Sequence, residues 1–396
     1  MLLRLARQLL RHLVRAQPRG DDTVVIVLMS AWGMGGTIRA AHNLAGHLAA
    51  QGWRVRILSV FRTREEPFFG SFPAGVEVIA LDDRRRPAPP LLRRLPSALV
   101  HPVEDSRHWN LWVDLQLVRW LRRTRGVLVT TRPSLNLIAA DLAPTGLVTV
   151  GLEQVNLATW APRLRDAMAR LYPRLDALVT LTEEDGSAYA GLLRPRLELI
   201  PNTVRLMGGA DADLAAPVVV AAGRLTGQKG FDLLIEAFAE IDPPWTLRIF
   251  GSGHERAALQ AMIDARALGD RVELAGAAPD LGAELAKASV FVLSSRREGY
   301  PLVLLEAMSK GLAVAAFDCP TGPRDIVEDG VNGLLVPAND TTKLAAALRT
   351  LIDDEALRRR LGAAAAATAA EHTIDAVGPR WEALFAELRV GPGPRS

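Results

Sequence analysis

The sequence predicts an α/β protein with two domains, each built on a doubly wound parallel sheet. The chain has 396 residues, of which 49% are hydrophobic, and this length exceeds what one typical hydrophobic core holds. In each half, short apolar runs alternate with stretches of helical spacing, which is the pattern of parallel strands joined by crossover helices. Residues 201–217 are rich in Pro, Gly, Ala and Asp, and this composition predicts a linker between the domains.

The first series of strands begins with the fully apolar run 24–29, which is followed by the loop 30–36 and a helix over 38–50. Residues 62–105 are rich in Pro and Arg and interrupt the alternation, so we interpret them as an insertion or a mobile loop. The strands predicted in this half are 24–29, 54–60, 127–131, 147–150 and 177–181.

The second series repeats the alternation, with strands predicted at 218–222, 246–250, 271–274, 289–293 and 313–316. Helices are expected from residue 340 onward, and the Gly-Pro sequence at 391–394 predicts a frayed tail. We therefore divide the chain into a basic N-terminal helix (1–20), an N-terminal domain (21–205) and a C-terminal domain (206–373). A last helix, 374–390, is expected to be able to pack back on the N-terminal domain.

The segment 294–306 carries two carboxylates eight residues apart. Gly299 and Pro301 end the preceding strand, and helical spacing begins at Leu302, so Glu298 is expected in a loop and Glu306 on a helix. Each carboxylate can accept protons from a pair of hydroxyls, such as those of a sugar or a ribose. The alternative is an exposed loop Glu and a Glu on a helix surface, each without a ligand.

A second motif follows the strand 218–222. Gly223 and Gly230 bound a turn that presents Arg224 and Lys229 at the carboxyl end of the strand, where open α/β sheets bind their ligands. Arg can contact two phosphate oxygens at once and Lys adds a compact charge, so the pair suits a diphosphate. Together, the two motifs predict a pocket for a sugar joined to a nucleoside diphosphate.

These segments resemble the family 4 glycosyltransferases of the GT-B fold, and the resemblance extends over nearly the whole chain. It implies two Rossmann-like domains facing across a cleft, and transfer of a hexose from a nucleotide sugar to an acceptor hydroxyl with retention of the anomeric configuration. The matching segments occur in the family's order and are 35–36, 200–202, 223–230, 250–253, 298–306, 322–324 and 332–337.

The resemblance also implies roles for single residues. Arg224 and Lys229 would hold the donor diphosphate, Glu298 would contact the donor sugar, and Glu306 would hold the nucleotide ribose. The remaining donor-binding residues would be Gly35, Gly36, Gly299, Tyr300, Pro301 and Leu302.

The N-terminal domain departs from the family at one position. Where a His commonly follows a Glu, this chain has Glu153 followed by Gln154. Gln donates a hydrogen bond but carries no proton in catalysis. We therefore expect Gln154 to act by hydrogen bonding at the catalytic centre, with Glu153 and Asn156 on the acceptor side. A catalytically weak sugar-nucleotide binder is one alternative, and a nucleotide-sugar epimerase or hydrolase is another.

The charge is unevenly distributed. Residues 1–210 carry 28 basic and 18 acidic side chains, whereas residues 211–396 carry 19 and 26. In residues 1–19, Leu and Val occupy one side of a helical wheel and five Arg the other, which is typical of a helix lying on an anionic membrane. A helix packed on its own domain and a solvated basic surface are the alternatives. We expect a cytoplasmic protein, peripheral on the inner face of the membrane, with a lipid-linked or glycan acceptor.

Other classes of site are not supported. The glycine loops 33–36 and 251–253 lack the full G-x-G-x-x-G spacing of a dinucleotide site, and no P-loop is present. The seven His residues are scattered and the single Cys excludes an intrachain disulfide, so we expect no metal and no cofactor besides a UDP-sugar or GDP-sugar donor. With 5% aromatic residues and no binding motif, nucleic acid is not an expected partner.

Overall fold

A computed structural model describes residues 22–87, 90–100, 109–192 and 196–390. The predicted N-terminal helix 1–20 lies outside these residues. The chain divides into two compact units, of which unit 1 comprises the chain up to Pro201 and from Val377 onward, and unit 2 runs from Asn202 to Ala376.

Unit 1 is built on a seven-stranded sheet with the order β3-β2-β1-β4-β5-β6-β7, and all of its strand pairs are parallel. Its central strands are buried because crossover helices cover both faces of such a sheet. The strands are β1 (Thr23–Leu28), β2 (Arg54–Arg62), β3 (Val76–Asp83), β4 (Val127–Thr130), β5 (Val148–Leu152), β6 (Ala177–Thr180) and β7 (Leu197–Leu199). The helices are α1 (Gly36–Ala50), α2 (Pro90–Arg94), α3 (Leu111–Leu121), α4 (Pro133–Leu142), α5 (Pro162–Leu171) and α6 (Glu183–Leu192).

The interpretation of residues 62–105 as an insertion or a mobile loop is wrong, because β3 and α2 lie within them. β3 is an edge strand and is only partly buried. Its apolar run 78–81 lies between Glu77 and the pair Asp82 and Asp83, and these acidic residues conceal the strand in the sequence. The loop before β3 is also packed: the Phe72 ring lies edge-on to Trp32 at 5.1 Å.

Unit 2 contains a six-stranded sheet with the order β10-β9-β8-β11-β12-β13, again parallel throughout. Its strands are β8 (Val218–Ala222), β9 (Thr246–Phe250), β10 (Val272–Gly276), β11 (Val290–Leu293), β12 (Ala313–Asp318) and β13 (Leu334–Pro337). The helices are α7 (Phe231–Phe238), α8 (Arg256–Ala265), α9 (Leu281–Leu285), α10 (Leu302–Met308), α11 (Pro323–Ile326), α12 (Thr341–Asp353) and α13 (Glu355–Glu371).

The last helix, α14 (Ile374–Val390), returns the chain to unit 1. Its Phe385 is fully buried, with its ring 6.0 Å from that of Trp53, and Glu382 pairs with His47 at 2.8 Å. The chain enters and leaves unit 2 at one place, since Val204 pairs with Thr373 in a parallel bridge.

Candidate functional site

The two motifs of the second half lie at the topological switch point of the unit 2 sheet. β8 and β11 are neighbours, and the chain continues from them toward opposite edges of the sheet. The loops that follow these two strands contain residues 223–230 and 294–301. Ligands of open α/β sheets bind in the crevice at such a point, so the fold brings both motifs to the place where a ligand is expected.

Glycines allow the loops at this edge to approach one another. A Cβ atom on Gly251, whose φ is 146°, would lie 1.8 Å from the carbonyl oxygen of Gly223. A Cβ atom on Gly253 would lie 2.2 Å from the carbonyl oxygen of Leu225. No side chain fits at these distances, so the glycines are required by backbone packing. The contact is completed by the amide of Gly223, which donates to the carbonyl of Phe250 at 2.9 Å.

Lys229 and Glu298 form the centre of the site. The Lys229 Nζ lies 2.6 Å from Glu298 Oε1, and the Ser295 hydroxyl donates to the same oxygen at 2.5 Å. The two charged side chains are 15% and 7% exposed. Within the described part of the chain, no donor contacts Glu298 Oε2. One oxygen of this carboxylate is therefore fixed by the protein, and the other is available to a hydroxyl of a ligand.

Arg224, the other cation of the turn, is exposed. Among the described residues, no carboxylate pairs with its guanidinium. The turn thus presents one cation that is already paired with a carboxylate and one that is accessible to an anion from solution.

The loop that carries Glu298 is held by the segment after β12. The Glu298 amide donates to the carbonyl of Pro320, and the Thr321 amide donates to the carbonyl of Glu298, both at 3.0 Å. Gly322 has a φ of 90°, and a Cβ atom there would lie 2.6 Å from the carbonyl oxygen of Gly299. These contacts fix the backbone on both sides of the carboxylate.

The predicted donor-binding loop is buried from Tyr300 onward. Tyr300 and Leu302 are both buried, and the Tyr300 ring lies 6.1 Å from that of His372. Pro301 precedes the first residue of α10. Glu306 lies on α10, as expected from the helical spacing, and is 5% exposed. A carboxylate with so little solvent contact differs from the surface Glu of the alternative interpretation.

Cys319 lies behind the same loop. Its side chain is fully buried, and burial, assisted by the negative charge of Glu298, raises the pKa of the Cys319 thiol to about 12. The thiol is therefore neutral at physiological pH, as expected of a small core residue.

In unit 1, Gly35 and Gly36 lie at the amino end of α1. Gly35 has a φ of 143° and precedes the helix without a side-chain cap. Its carbonyl accepts the amides of Ile38 and Arg39 at 3.2 and 3.1 Å. The loop follows β1, which adjoins β4 at the switch point of this sheet, so both glycines occupy a position where ligands of α/β sheets bind.

Glu153 lies in the interior of unit 1. Its Oε1 accepts hydrogen bonds from Asn136 Nδ2 at 2.7 Å and from the Tyr172 hydroxyl at 2.5 Å. Burial and the nearby Glu153 charge raise the pKa of Tyr172 well above its usual range. Sequence reasoning missed Asn136 and Tyr172. The available signal was Asn136 itself, an amide side chain in a mostly apolar helix.

Gln154 and Asn156 follow Glu153 and are half-buried. The Asn156 side chain accepts the amide of Ala158 at 2.7 Å and so caps the 3₁₀ turn Leu157–Thr159. The amide of Leu157 donates to Asp185 at 3.3 Å. The segment after Gln154 is therefore held in place by local hydrogen bonds.

Two kinds of feature are absent from the described ranges. No helix there has the length and the apolar content to cross a membrane. No three His, Cys, Asp or Glu side chains in those ranges are grouped closely enough to hold a metal ion.

Residues 210–368 match the family model described as "Glycosyl transferases group 1". The chain carries a glycosyltransferase group 1 domain. This group 1 domain contains Arg224, Lys229, Glu298 and Glu306. It also includes the switch point at which the first three of these residues lie.

Relatives of known name extend the similarity beyond the group 1 domain. The chain is 37% identical over 390 residues to an exopolysaccharide phosphotransferase of Streptomyces coelicolor, in an alignment that covers 92% of this chain. The chain spans only 41% of that relative's length. It is 25% identical over 365 residues to the amylovoran biosynthesis glycosyltransferase AmsD of Erwinia amylovora, covering 89% of this chain and 96% of AmsD.

Among solved structures, Anabaena HepE in complex with UDP superposes with a TM-score of 0.74 at 18% identity. The match covers 92% of this chain and 99% of HepE. This likeness concerns the fold, and it confirms the GT-B class that was predicted from the sequence.

Proposed function

We propose that this protein is a retaining glycosyltransferase of family 4 that moves a hexose from a nucleoside-diphosphate sugar to an acceptor hydroxyl in cell-envelope glycan synthesis. The observation that carries the proposal is the Lys229–Glu298 pair, 2.6 Å apart and supported by Ser295, beside the exposed Arg224. A sugar diphosphate needs cations for its phosphates and a carboxylate for its hydroxyls. This cluster supplies both at the switch point of one sheet.

In the proposed reaction, the bond between the anomeric carbon and the diphosphate breaks, and negative charge develops on the leaving phosphate. Arg224 and Lys229 would stabilise that charge, since preorganised cations are the main source of such stabilisation. Glu298 Oε2 would accept a hydroxyl of the sugar and orient the ring. By the same resemblance, Glu306 would hold the ribose, Gln154 would donate a hydrogen bond to the sugar, and Asn156 and Glu153 would serve the acceptor side.

The donor and acceptor are proposed by class. UDP is the first nucleotide to test because HepE is described with UDP bound, and GDP is the second. A glycan or lipid-linked acceptor is supported by AmsD, which is named for amylovoran biosynthesis. We place the protein at the cytoplasmic face of the membrane, with residues 1–19 on the lipid surface.

The nucleotide released by the reaction tests the proposal. Glycosyl transfer from a UDP-hexose to a glycan acceptor releases UDP, whereas transfer of a sugar phosphate releases UMP. Release of UMP would support the activity for which the Streptomyces coelicolor relative is named and contradict ours. Release of free sugar in the absence of an acceptor would indicate a hydrolase. A change in the sugar while it is still attached to the nucleotide would indicate an epimerase. The anomeric configuration of the product, read by nuclear magnetic resonance, tests retention.

Two variants test the position of the donor site. Arg224→Ala and Lys229→Ala should each weaken UDP binding by about 1.5–3 kcal/mol, the value of a hydrogen bond to a charged group, while uridine binding changes less. Arg256→Ala is the matched control, since Arg256 is an exposed Arg of the same unit on α8. Unchanged UDP affinity in both site variants, measured by calorimetry, would show that the diphosphate binds elsewhere.

A further inference from the structure

A second ion pair lies beside the Lys229–Glu298 pair. Arg296 Nη2 lies 2.6 Å from Asp232 Oδ2, and Arg296 Nη1 lies 2.8 Å from Asp232 Oδ1. Nη1 also donates to the carbonyl of Gly227 at 2.8 Å. Asp232 belongs to the first turn of α7. The Arg296 side chain therefore connects three segments: its own loop, the 3₁₀ turn Gly227–Lys229 and the start of α7.

The two loops are also joined through their backbones. The Arg296 amide donates to the carbonyl of Gln228 at 2.8 Å, and the Ser294 hydroxyl donates to the carbonyl of Lys229 at 3.0 Å. Gly230 lies against Ser294, since a Cβ atom there would come within 2.1 Å of the Ser294 carbonyl oxygen. These contacts fix the face of the turn that meets the loop.

The opposite face of the turn borders open space. A cavity of about 450 Å³ lies next to Gly227 and is also lined by Asp232, Glu255, Met262 and Arg296. Where no side chains pack, the position of a backbone depends on its polar contacts. On this face, the Arg296 guanidinium supplies such contacts to both Gly227 and Asp232.

We propose that Arg296 and Asp232 are a positioning pair, which holds the turn bearing Lys229 and the loop bearing Glu298 at the separation that a sugar diphosphate requires. The inference rests on the proposed function, because it assigns the pair a role at that donor site. The hydrogen bond from Arg296 lowers the pKa of Asp232, so both side chains are charged at neutral pH. A small displacement of the turn then moves the Lys229 ammonium and reduces donor binding.

The test compares UDP binding by the unchanged full chain with that of Arg296→Met and Asp232→Asn. If the pair acted only through its charges, Asp232→Asn would remove a negative charge near the diphosphate site and strengthen binding. Positioning predicts the opposite sign: each variant binds UDP about five- to tenfold more weakly, and the double variant is no weaker than Arg296→Met, because the two residues act as one unit. Arg296→Lys should recover part of the affinity.

Arg248→Met is the matched control for a general loss of stability. Arg248 is 29% exposed, compared with 35% for Arg296, and bonds to Glu273 and Glu284 in the same unit. The Arg248→Met variant should have a lower unfolding temperature, as Arg296→Met should, but an unchanged UDP affinity. Two results would overturn this inference and leave the proposed function intact. One is equal UDP affinity in Arg296→Met and the unchanged chain, and the other is tighter UDP binding by Asp232→Asn. Failure of the unchanged chain to bind UDP or GDP would overturn the proposed function and the inference with it.

Discussion

Replacing Glu298 by Gln should tighten nucleotide binding and slow turnover. In the structure, Lys229 Nζ lies 2.6 Å from Glu298 Oε1, so the carboxylate neutralises part of the charge offered to a diphosphate. A Gln at this position still accepts a hydrogen bond from Lys229 but has no negative charge. It would present an NH₂ group where Oε2 is expected to accept a sugar hydroxyl.

The size of the effect follows from the geometry. A phosphate bound on the far side of the Lys229 ammonium would lie roughly 5.5 Å from the Glu298 carboxylate, which at an effective dielectric constant of about 20 gives roughly 3 kcal/mol of repulsion. Solvent screening lowers this to about 1–2 kcal/mol, so UDP affinity should rise by about five- to thirtyfold. The gain should shrink at high salt.

Calorimetry with UDP at low and high salt measures the affinity, and steady-state transfer of hexose measures turnover. Glu236→Gln is the control, because Glu236 is an exposed carboxylate of the same unit on α7 and its loss changes the net charge equally. Weaker UDP binding by Glu298→Gln would refute the reasoning, since it would show that the carboxylate supports the phosphates instead of opposing them. Unchanged turnover in Glu298→Gln would show that Glu298 does not contact the donor sugar.

Three further predictions concern other parts of the chain. Cys319 should resist iodoacetamide in the folded protein at pH 8, because the pKa of its thiol is raised to about 12, and it should react in guanidinium; rapid labelling of the native protein would contradict its burial. Tyr172→Phe should lower the free energy of unfolding by about 1–3 kcal/mol, since the buried Glu153 loses a hydrogen bond, and denaturant unfolding would detect it. Deleting residues 1–19 should abolish binding to anionic liposomes, with no change on neutral liposomes, and should leave UDP binding intact. Flotation of the deleted chain with anionic vesicles would assign the membrane contact to another surface.

The central strands could be predicted from the sequence, and three edge strands could not. β1 and β11 are buried along their whole length, and β8 along all but its first residue, because strands covered on both faces are almost continuously apolar. β3, β7 and β13 lie at sheet edges and are only partly buried. Acidic residues conceal β3 and β7 in a sequence pattern, whereas β13 is apolar but ends in a Pro, which argues against a strand.

At the candidate site, the residue types and their order along the chain were predictable, whereas the side chains that each of them contacts were not. Spacing placed Glu298 in a loop and Glu306 on a helix, as the structure has them. The Lys229–Glu298 contact joins residues 69 positions apart in the sequence, and no local sequence pattern predicts a contact over such a separation. Arg296 was equally hidden, since its role depends on Asp232, which lies on a different element.

During synthesis, the helix that completes unit 1 emerges after the whole of unit 2. The strands β1 to β7 are made first, yet Trp53 lacks its neighbour Phe385 until α14 has been translated. Unit 2 is made in one continuous stretch whose ends meet at Val204 and Thr373, so it can finish folding while unit 1 is still incomplete. Domains that fold during translation usually do so from the amino terminus, and here the order of completion is reversed. Between the two events, the apolar surface that α14 covers stays open to chaperones and to aggregation.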